Sequence, residues 1–256
     1  MALYFIGLGL NDEKDISVKG LEAVKICDVL YLEYYTSILQ VSKEQLEKFY
    51  GKKIILAPRS LVEQDAETTI LKDAKERDTG FLVIGDPFCA TTHMDLYLRA
   101  KKEGIKCHVI HNASVMSAIG MTGLQVYKFG KTTSIPFHHD GVDSPYDVMR
   151  ANQKLGLHTL FLLDLDPIDG KFMSVSDGVR YLLKTALRKG DKGFTDSTLC
   201  IGCSRLGSEN QVILAGSASS LLRKDFGKPV HCLIVPGTMH FMEEEVVGVW
   251  RGLLPI

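Results

Sequence analysis

Between residues 3 and 110, short uninterrupted apolar runs alternate with amphipathic segments, an alternation that few folds accommodate. Strands are expected over 3–8, 29–34 and 53–57, then at Phe81-Leu82-Val83-Ile84 and Cys107-His108-Val109-Ile110. Helices are expected over 18–27 and 43–49, from Ser60 toward Arg77, and from about Thr92 to Glu103. Ser42 with Gln45 and Ser60 with Glu63 have the spacing of helix-opening caps, and Thr91 or Thr92 would cap the last helix. Repeated βα units with continuous apolar strands imply a parallel sheet covered by helices on both faces.

The second half reads differently. Thr132 to Phe137, His158 to Leu163, Thr198 to Cys203, Gln211 to Leu214 and His231 to Val235 are strand-like, with fewer helices between them, so a mixed sheet is expected. One strong helix carries Val179, Leu182, Leu183, Ala186 and Leu187 on one face and ends at Gly190. That stripe is read as core. The chain of 256 residues is near the size at which one core divides into two. The expected division is an N-terminal α/β domain over 1–112 and a C-terminal α/β domain over 113–256.

A hydrophobic fraction of 45% with 24% charged residues belongs to a globular protein, not a disordered one. The formal net charge is −1, and basic residues fall in small groups such as Arg99, Lys101 and Lys102 at helix ends, which leaves no footprint for nucleic acid or an anionic membrane. No apolar stretch is long enough to span a bilayer and no signal peptide is evident. Six scattered cysteines do not make a disulfide framework. A cytoplasmic location is expected.

Three turns stand where parallel strands end, the place at which open α/β sheets bind ligands. Gly7-Leu8-Gly9-Leu10-Asn11-Asp12 begins like a dinucleotide fingerprint but has Asp12 in place of the third glycine, which disfavours a nicotinamide-dependent oxidoreductase. Gly85-Asp86-Pro87 puts a carboxylate and a rigid turn at a second strand end. Asp86 could accept from an amine or a ribose hydroxyl, or it could close a local turn. His111-Asn112-Ala113-Ser114-Val115 supplies small polar groups at a third.

Cys200 and Cys203 have redox or metal spacing but sit in a strand, where residues three apart face opposite ways, so a structural role is expected. His138, His139 and Asp140 are read as a solvated loop, and no metal site is expected. Nucleophile-elbow and zinc-helix motifs are absent, so hydrolase chemistry has no support.

Taken together, several segments resemble the diphthine synthases, a branch of the tetrapyrrole methylase superfamily of S-adenosylmethionine enzymes. The resemblance is carried by Tyr4 to Leu10, Asp15 to Leu21, Glu33 to Ser37, Gly85 to His93, His111 to Val115, Gly123 to Gly130, His158 to Asp164 and His231 to Gly237. The wider superfamily has Gly-x-Gly-Pro-Gly-Asp after its first strand, whereas Leu10 and Asn11 replace the proline and last glycine here. The resemblance implies a two-domain tetrapyrrole-methylase-like α/β fold, with an N-terminal parallel sheet flanked by helices and a C-terminal mixed sheet with helices.

It further implies a site for S-adenosylmethionine, and for the product S-adenosylhomocysteine, in the cleft between the domains, at Leu10, Asp86, Cys89, Ser114, Val115, Leu163, Leu206 and His231. Cys89 replaces a more usual aliphatic residue. The implied acceptor is a histidine of elongation factor 2 bearing a 3-amino-3-carboxypropyl group, methylated repeatedly at its amine toward diphthamide, and the implied assembly is a homodimer. No catalytic residue is singled out. The alternatives are a tetrapyrrole-type small-molecule methyltransferase and a non-catalytic module that binds elongation factor 2.

Overall fold

The computed structural model describes residues 1–251 and divides into two compact units, Met1–Ser117 and a second that begins at Ala118. The first unit contains β1 (Ala2–Gly7), α1 (Val18–Ile26), β2 (Val29–Glu33), α2 (Lys43–Tyr50), β3 (Ile54–Ala57), α3 (Arg59–Glu63), α4 (Ile70–Glu76), β4 (Thr79–Val83), α5 (Met94–Lys102) and β5 (Lys106–Ile110). A short α6 (Val115–Ala118) follows. The strands form one sheet in the order β3-β2-β4-β1-β5, and every pairing is parallel. Two apolar clusters flank the strands, one around Phe5, Phe81 and Leu96, the other around Ile6, Leu30 and Leu82. Successive residues of β1, Phe5 and Ile6, thus feed opposite faces, which is why that strand reads as an unbroken apolar run.

Local chemistry sets the helix ends. Ser42 Oγ accepts from the Gln45 amide at the start of α2, as its spacing predicts. The single helix expected from Ser60 to Arg77 is instead broken. Pro58 precedes α3, Ser60 lies inside it, and a 3-10 turn over Ala66–Thr68 separates it from α4. The hydroxyls of Thr68 and Thr69 both donate to the Asp65 carbonyl, at 3.1 and 2.7 Å, and compete with the helical ladder at that point. The cap of α5 also differs: His93 precedes the helix, while Thr91 Oγ1 donates to the Pro87 carbonyl and Thr92 Oγ1 to Glu63.

The second unit contains β6 (Thr133–Ile135), α7 (Ser144–Lys154), β7 (Thr159–Leu163), the small hairpin of β8 (Leu165–Asp166) and β9 (Lys171–Phe172), and α8 (Val175–Lys189). Then come β10 (Leu199–Ser204), β11 (Val212–Ser217), α9 (Ala218–Leu221), β12 (His231–Val235) and α10 (Phe241–Trp250). Its main sheet runs β11-β10-β12-β7-β6. Only β6 and β7 pair in parallel, so the sheet is mixed, as expected.

Helix α8 opens with a reciprocal cap between Ser174 and Asp177 and closes on Gly190 in the left-handed conformation. Val175, Val179, Leu182 and Ala186 are buried along it. Leu187 departs from the expected stripe and is 84% exposed, because the face that meets the sheet is centred one residue earlier in the turn. Cys200 belongs to the core cluster beneath α8, whereas Cys203 points the other way and stands directly opposite Cys232 of β12.

Candidate functional site

In the first unit, β4, β1 and β5 are neighbours and parallel, so the three turns that follow them meet at one edge. Gly9 and Gly85 exchange backbone hydrogen bonds, with Gly85 N donating to Gly9 O at 2.7 Å and Gly9 N to Gly85 O at 3.3 Å. Both residues have φ of +82°, a conformation that glycine adopts without the steric penalty of a side chain. The third turn joins through Asn112, whose Nδ2 donates to the carbonyls of Gly7 and Asp15, each at 3.0 Å.

No helix starts at Asp12, so the dinucleotide geometry is absent. Asp12 instead organises its own turn, accepting from Lys14 N and the Asn11 side chain. The amides that follow Gly9 are taken up by Asp15, whose Oδ2 accepts from Leu10 N at 3.0 Å and Asn11 N at 2.7 Å. Asp15 is a site-shaping residue that sequence reasoning passes over. Its carboxylate reaches back four and five residues, whereas the usual Asp turn bonds two residues ahead, so local turn chemistry does not flag it.

Asp86 is 4% exposed and serves three donors. Its Oδ1 accepts from Phe88 N at 2.9 Å, and its Oδ2 accepts from His111 Nδ1 at 2.7 Å and from Asn112 N at 3.2 Å. Desolvation pushes this carboxyl up, but the three hydrogen bonds and the nearby imidazole outweigh it and hold the carboxyl below its ordinary range. Asp86 therefore closes its own turn and also ties the β4 turn to the β5 turn. Cys89 joins the same turn through its backbone, its amide donating to the Asp86 carbonyl at 3.4 Å. Ser114 Oγ accepts from Met116 N as the chain enters α6, where Val115 is the first residue. Leu10, Asp86, Cys89, Ser114 and Val115 are thus gathered on linked turns of a single sheet edge.

Two further buried groups lie on this side of the unit. Glu33 ends β2, is fully buried, and accepts from Tyr35 N, Thr36 N and Thr36 Oγ1 at 2.9, 2.5 and 2.9 Å. Burial dominates over those bonds and raises its carboxyl to about 7. His93 is 1% exposed, with Nδ1 3.1 Å from the Pro87 carbonyl, and burial drops its imidazole to about 4. Since a carbonyl only accepts, Nδ1 carries the hydrogen.

In the second unit, Leu163, Leu206 and His231 also share an edge. Leu163 ends β7, His231 begins the antiparallel β12 beside it, and Ser204 of β10 pairs with His231 two residues before Leu206. Leu163 and Leu206 are buried. His231 Nε2 lies 3.1 Å from the carbonyls of both Gly227 and Lys228, which fixes its hydrogen on Nε2. Nδ1 is left as a bare, buried acceptor without a hydrogen-bond partner. Burial lowers this imidazole too.

The remaining motif residues have local roles. His139 Nδ1 bonds the Pro136 carbonyl and its ring meets Tyr181 edge-on, while Asp140 pairs with Lys184.

Comparison with known proteins places the chain firmly. Residues 2–222 match the tetrapyrrole (corrin/porphyrin) methylase family. The probable diphthine methyl ester synthase of Arabidopsis thaliana is 47% identical, over 97% of this chain and 98% of its own length. The diphthine synthase of Methanosarcina mazei is likewise 47% identical, over 96% and 94%. A crystal structure of diphthine synthase superposes with a TM-score of 0.91 at 38% identity, covering 98% of this chain and 96% of that one. The chain belongs to the tetrapyrrole methylase family and, within it, to the diphthine synthases, and it is an S-adenosylmethionine-dependent methyltransferase.

Proposed function

We propose that the chain methylates, repeatedly, the amine of the 3-amino-3-carboxypropyl histidine of elongation factor 2, a step toward diphthamide. The observation that carries this reading is likeness over nearly the whole chain to proteins named for diphthine synthesis in a plant and in an archaeon. Bound S-adenosylmethionine supplies a methyl group on a sulfonium, a good leaving group. The protein's own task is then to orient an unprotonated amine against that carbon, and positioning of this kind is worth roughly 7 to 11 kcal/mol.

Leu10, Asp86, Cys89, Ser114 and Val115 are proposed as donor-binding residues, and, separately, so are Leu163, Leu206 and His231. The chemistry of these groups fits the donor. Asp86 is an oriented carboxylate suited to hydroxyl or ammonium donors, the aliphatic residues suit an adenosine and its thioether, and the bare Nδ1 of His231 matches a donor such as an exocyclic amine. Asp86→Ala should weaken S-adenosylhomocysteine binding measured by calorimetry, and unchanged binding would remove Asp86 from the donor site.

We further infer a homodimer, read by light scattering, and a cytoplasmic setting, in keeping with six cysteines that all stay free. Among the described residues no helix is long and apolar enough to cross a membrane.

The deciding experiment is mass spectrometry of elongation factor 2 carrying the aminocarboxypropyl histidine, incubated with the protein and S-adenosylmethionine, with unmodified factor as control. Methyl-sized additions confined to the modified histidine are expected. Their number separates methylation of the amine alone from further esterification. No addition, by protein that binds S-adenosylhomocysteine, would refute the acceptor and point to a tetrapyrrole.

A further inference from the structure

An amine at neutral pH is an ammonium without a lone pair, so an enzyme that methylates one needs a place for its proton. The edge that holds the Asp86 turn offers several titratable groups, and most are poor acceptors. Asp86 is held below the ordinary carboxylate range and already accepts from three donors of its own fold. The Cys89 thiol is pushed up, chiefly by desolvation, so little thiolate forms. Glu33 is fully buried, with both oxygens occupied by its own turn, and His93 is enclosed at 1% exposure.

His111 differs from all of these. Its side chain is 70% exposed, yet it is anchored, because Nδ1 sits 2.7 Å from Oδ2 of the buried Asp86 carboxylate. An acceptor on that side requires Nδ1 to carry a hydrogen, so the proton that comes and goes belongs to Nε2, the nitrogen on the outer side of the ring. A buried carboxylate that fixes tautomer and orientation while the second nitrogen faces reactants is the arrangement of a general base. The backbone reinforces it: the next residue, Asn112, donates its amide to the same Oδ2, so ring and main chain are held by one oxygen.

We propose that His111 is the general base of this methyltransferase, with Nε2 accepting the proton of the acceptor ammonium and Asp86 as its orienting partner. The proposal rests on the function inferred above. In the step, an N–H bond of the ammonium breaks and an Nε2–H bond forms, leaving the amine its lone pair and the imidazole a positive charge beside the Asp86 carboxylate. The freed lone pair then forms the nitrogen–carbon bond as the carbon–sulfur bond of the sulfonium breaks, its electron pair staying on sulfur. The imidazolium returns its proton to water, and each further methylation of the amine repeats the cycle.

The test uses the whole protein and two variants. His111→Asn keeps an N–H within reach of Asp86 but has no second ring nitrogen, and His111→Ala leaves space for an added base. Both should bind S-adenosylhomocysteine within about twofold of the parent by calorimetry. Both should add methyl groups to the modified factor at least about 100-fold more slowly, the lower range for loss of a general base. Added imidazole should restore part of the rate to His111→Ala and none to the parent. In the parent, nitrogen-15 NMR should find the neutral His111 ring with its hydrogen on Nδ1.

Parental rates in both variants, or a hydrogen on Nε2 in the neutral ring, would overturn the assignment. So would a loss of rate in His111→Ala that imidazole leaves untouched. A parent that binds S-adenosylhomocysteine but leaves the factor unmethylated would instead fail the functional reading, and the two failures are told apart by the parent's own activity.

Discussion

Nε2 of His158 donates a 3.0 Å hydrogen bond to Oε1 of Glu243, joining the start of β7 to α10 across 85 residues of chain. Gly237 N donates to the other ring nitrogen, so the imidazole is neutral with its hydrogen on Nε2. Glu243 also accepts from Gln125 N and His240 N and pairs with Lys128. Burial would raise this carboxyl, but Lys128, the two amides and His158 together bring it down to about 2.

Glu243→Gln removes the charge that balances Lys128 and should destabilise the second unit by about 3 kcal/mol at pH 7, the scale for breaking a buried pair. A carboxyl whose value falls on folding contributes stability that is complete above its ordinary 4.5 and fades as pH falls toward about 2. Urea unfolding of parent and variant should therefore converge across that acid window. A constant difference down to pH 2 would contradict the account.

Glu33 has the opposite sign. Its carboxyl is raised from 4.5 to about 7, so the folded chain holds a proton that the unfolded chain has released, and stability falls as pH rises through that interval. The shift corresponds to about 3 kcal/mol. Glu33→Gln can accept from the Tyr35 and Thr36 amides without ionising, so it should flatten this slope and leave the protein more stable than the parent at pH 8. Denaturant unfolding at pH 5 and pH 8 reads both values.

Gly9→Ala combines two costs. A Cβ there would lie 2.5 Å from Cβ of Asp15, and the left-handed backbone adds about 1–2 kcal/mol by itself. The variant should lose more than that in stability. It should also weaken S-adenosylhomocysteine binding, since Asp15 holds the Leu10 amide. A stable variant with parental affinity would show that the turn repacks freely.

Ser174→Ala takes away the oxygen that receives the Asp177 amide at the start of α8. A loss of about 1 kcal/mol is expected, as for other N-caps. Ser174→Asn should recover most of it, and thermal melting compares the three proteins.

The strands were legible because burial on both faces leaves an unbroken apolar run, which is how β1, β4 and β12 announce themselves. The break between α3 and α4 was hidden, since Thr68 and Thr69 look compatible with a helix until their hydroxyls are found on the Asp65 carbonyl. Helices α7 and α10 escaped notice for opposite reasons: α7 is mostly polar, with Tyr146, Met149 and Asn152 as its buried spine, and α10 is apolar without a clear stripe.

At the site, turn glycines at strand ends pointed to the edge and to Asp86. Asp15 is hidden because its carboxylate reaches back along its own loop, and the pairing of His111 with Asp86 depends on strand order, because β4 and β5 come together only on either side of β1. Pairing across 25 residues leaves no mark in local sequence.

The reciprocal bonds between Gly9 and Gly85 make two turns from distant parts of the chain into one mechanical piece. Damage to either is damage to both. Substitutions at Gly9 and at Gly85 should then fall short of additivity when combined, because the second removes a constraint that the first has already broken. Variation in this region is best read in pairs: a change tolerated in one turn is conditioned by its counterpart in the other.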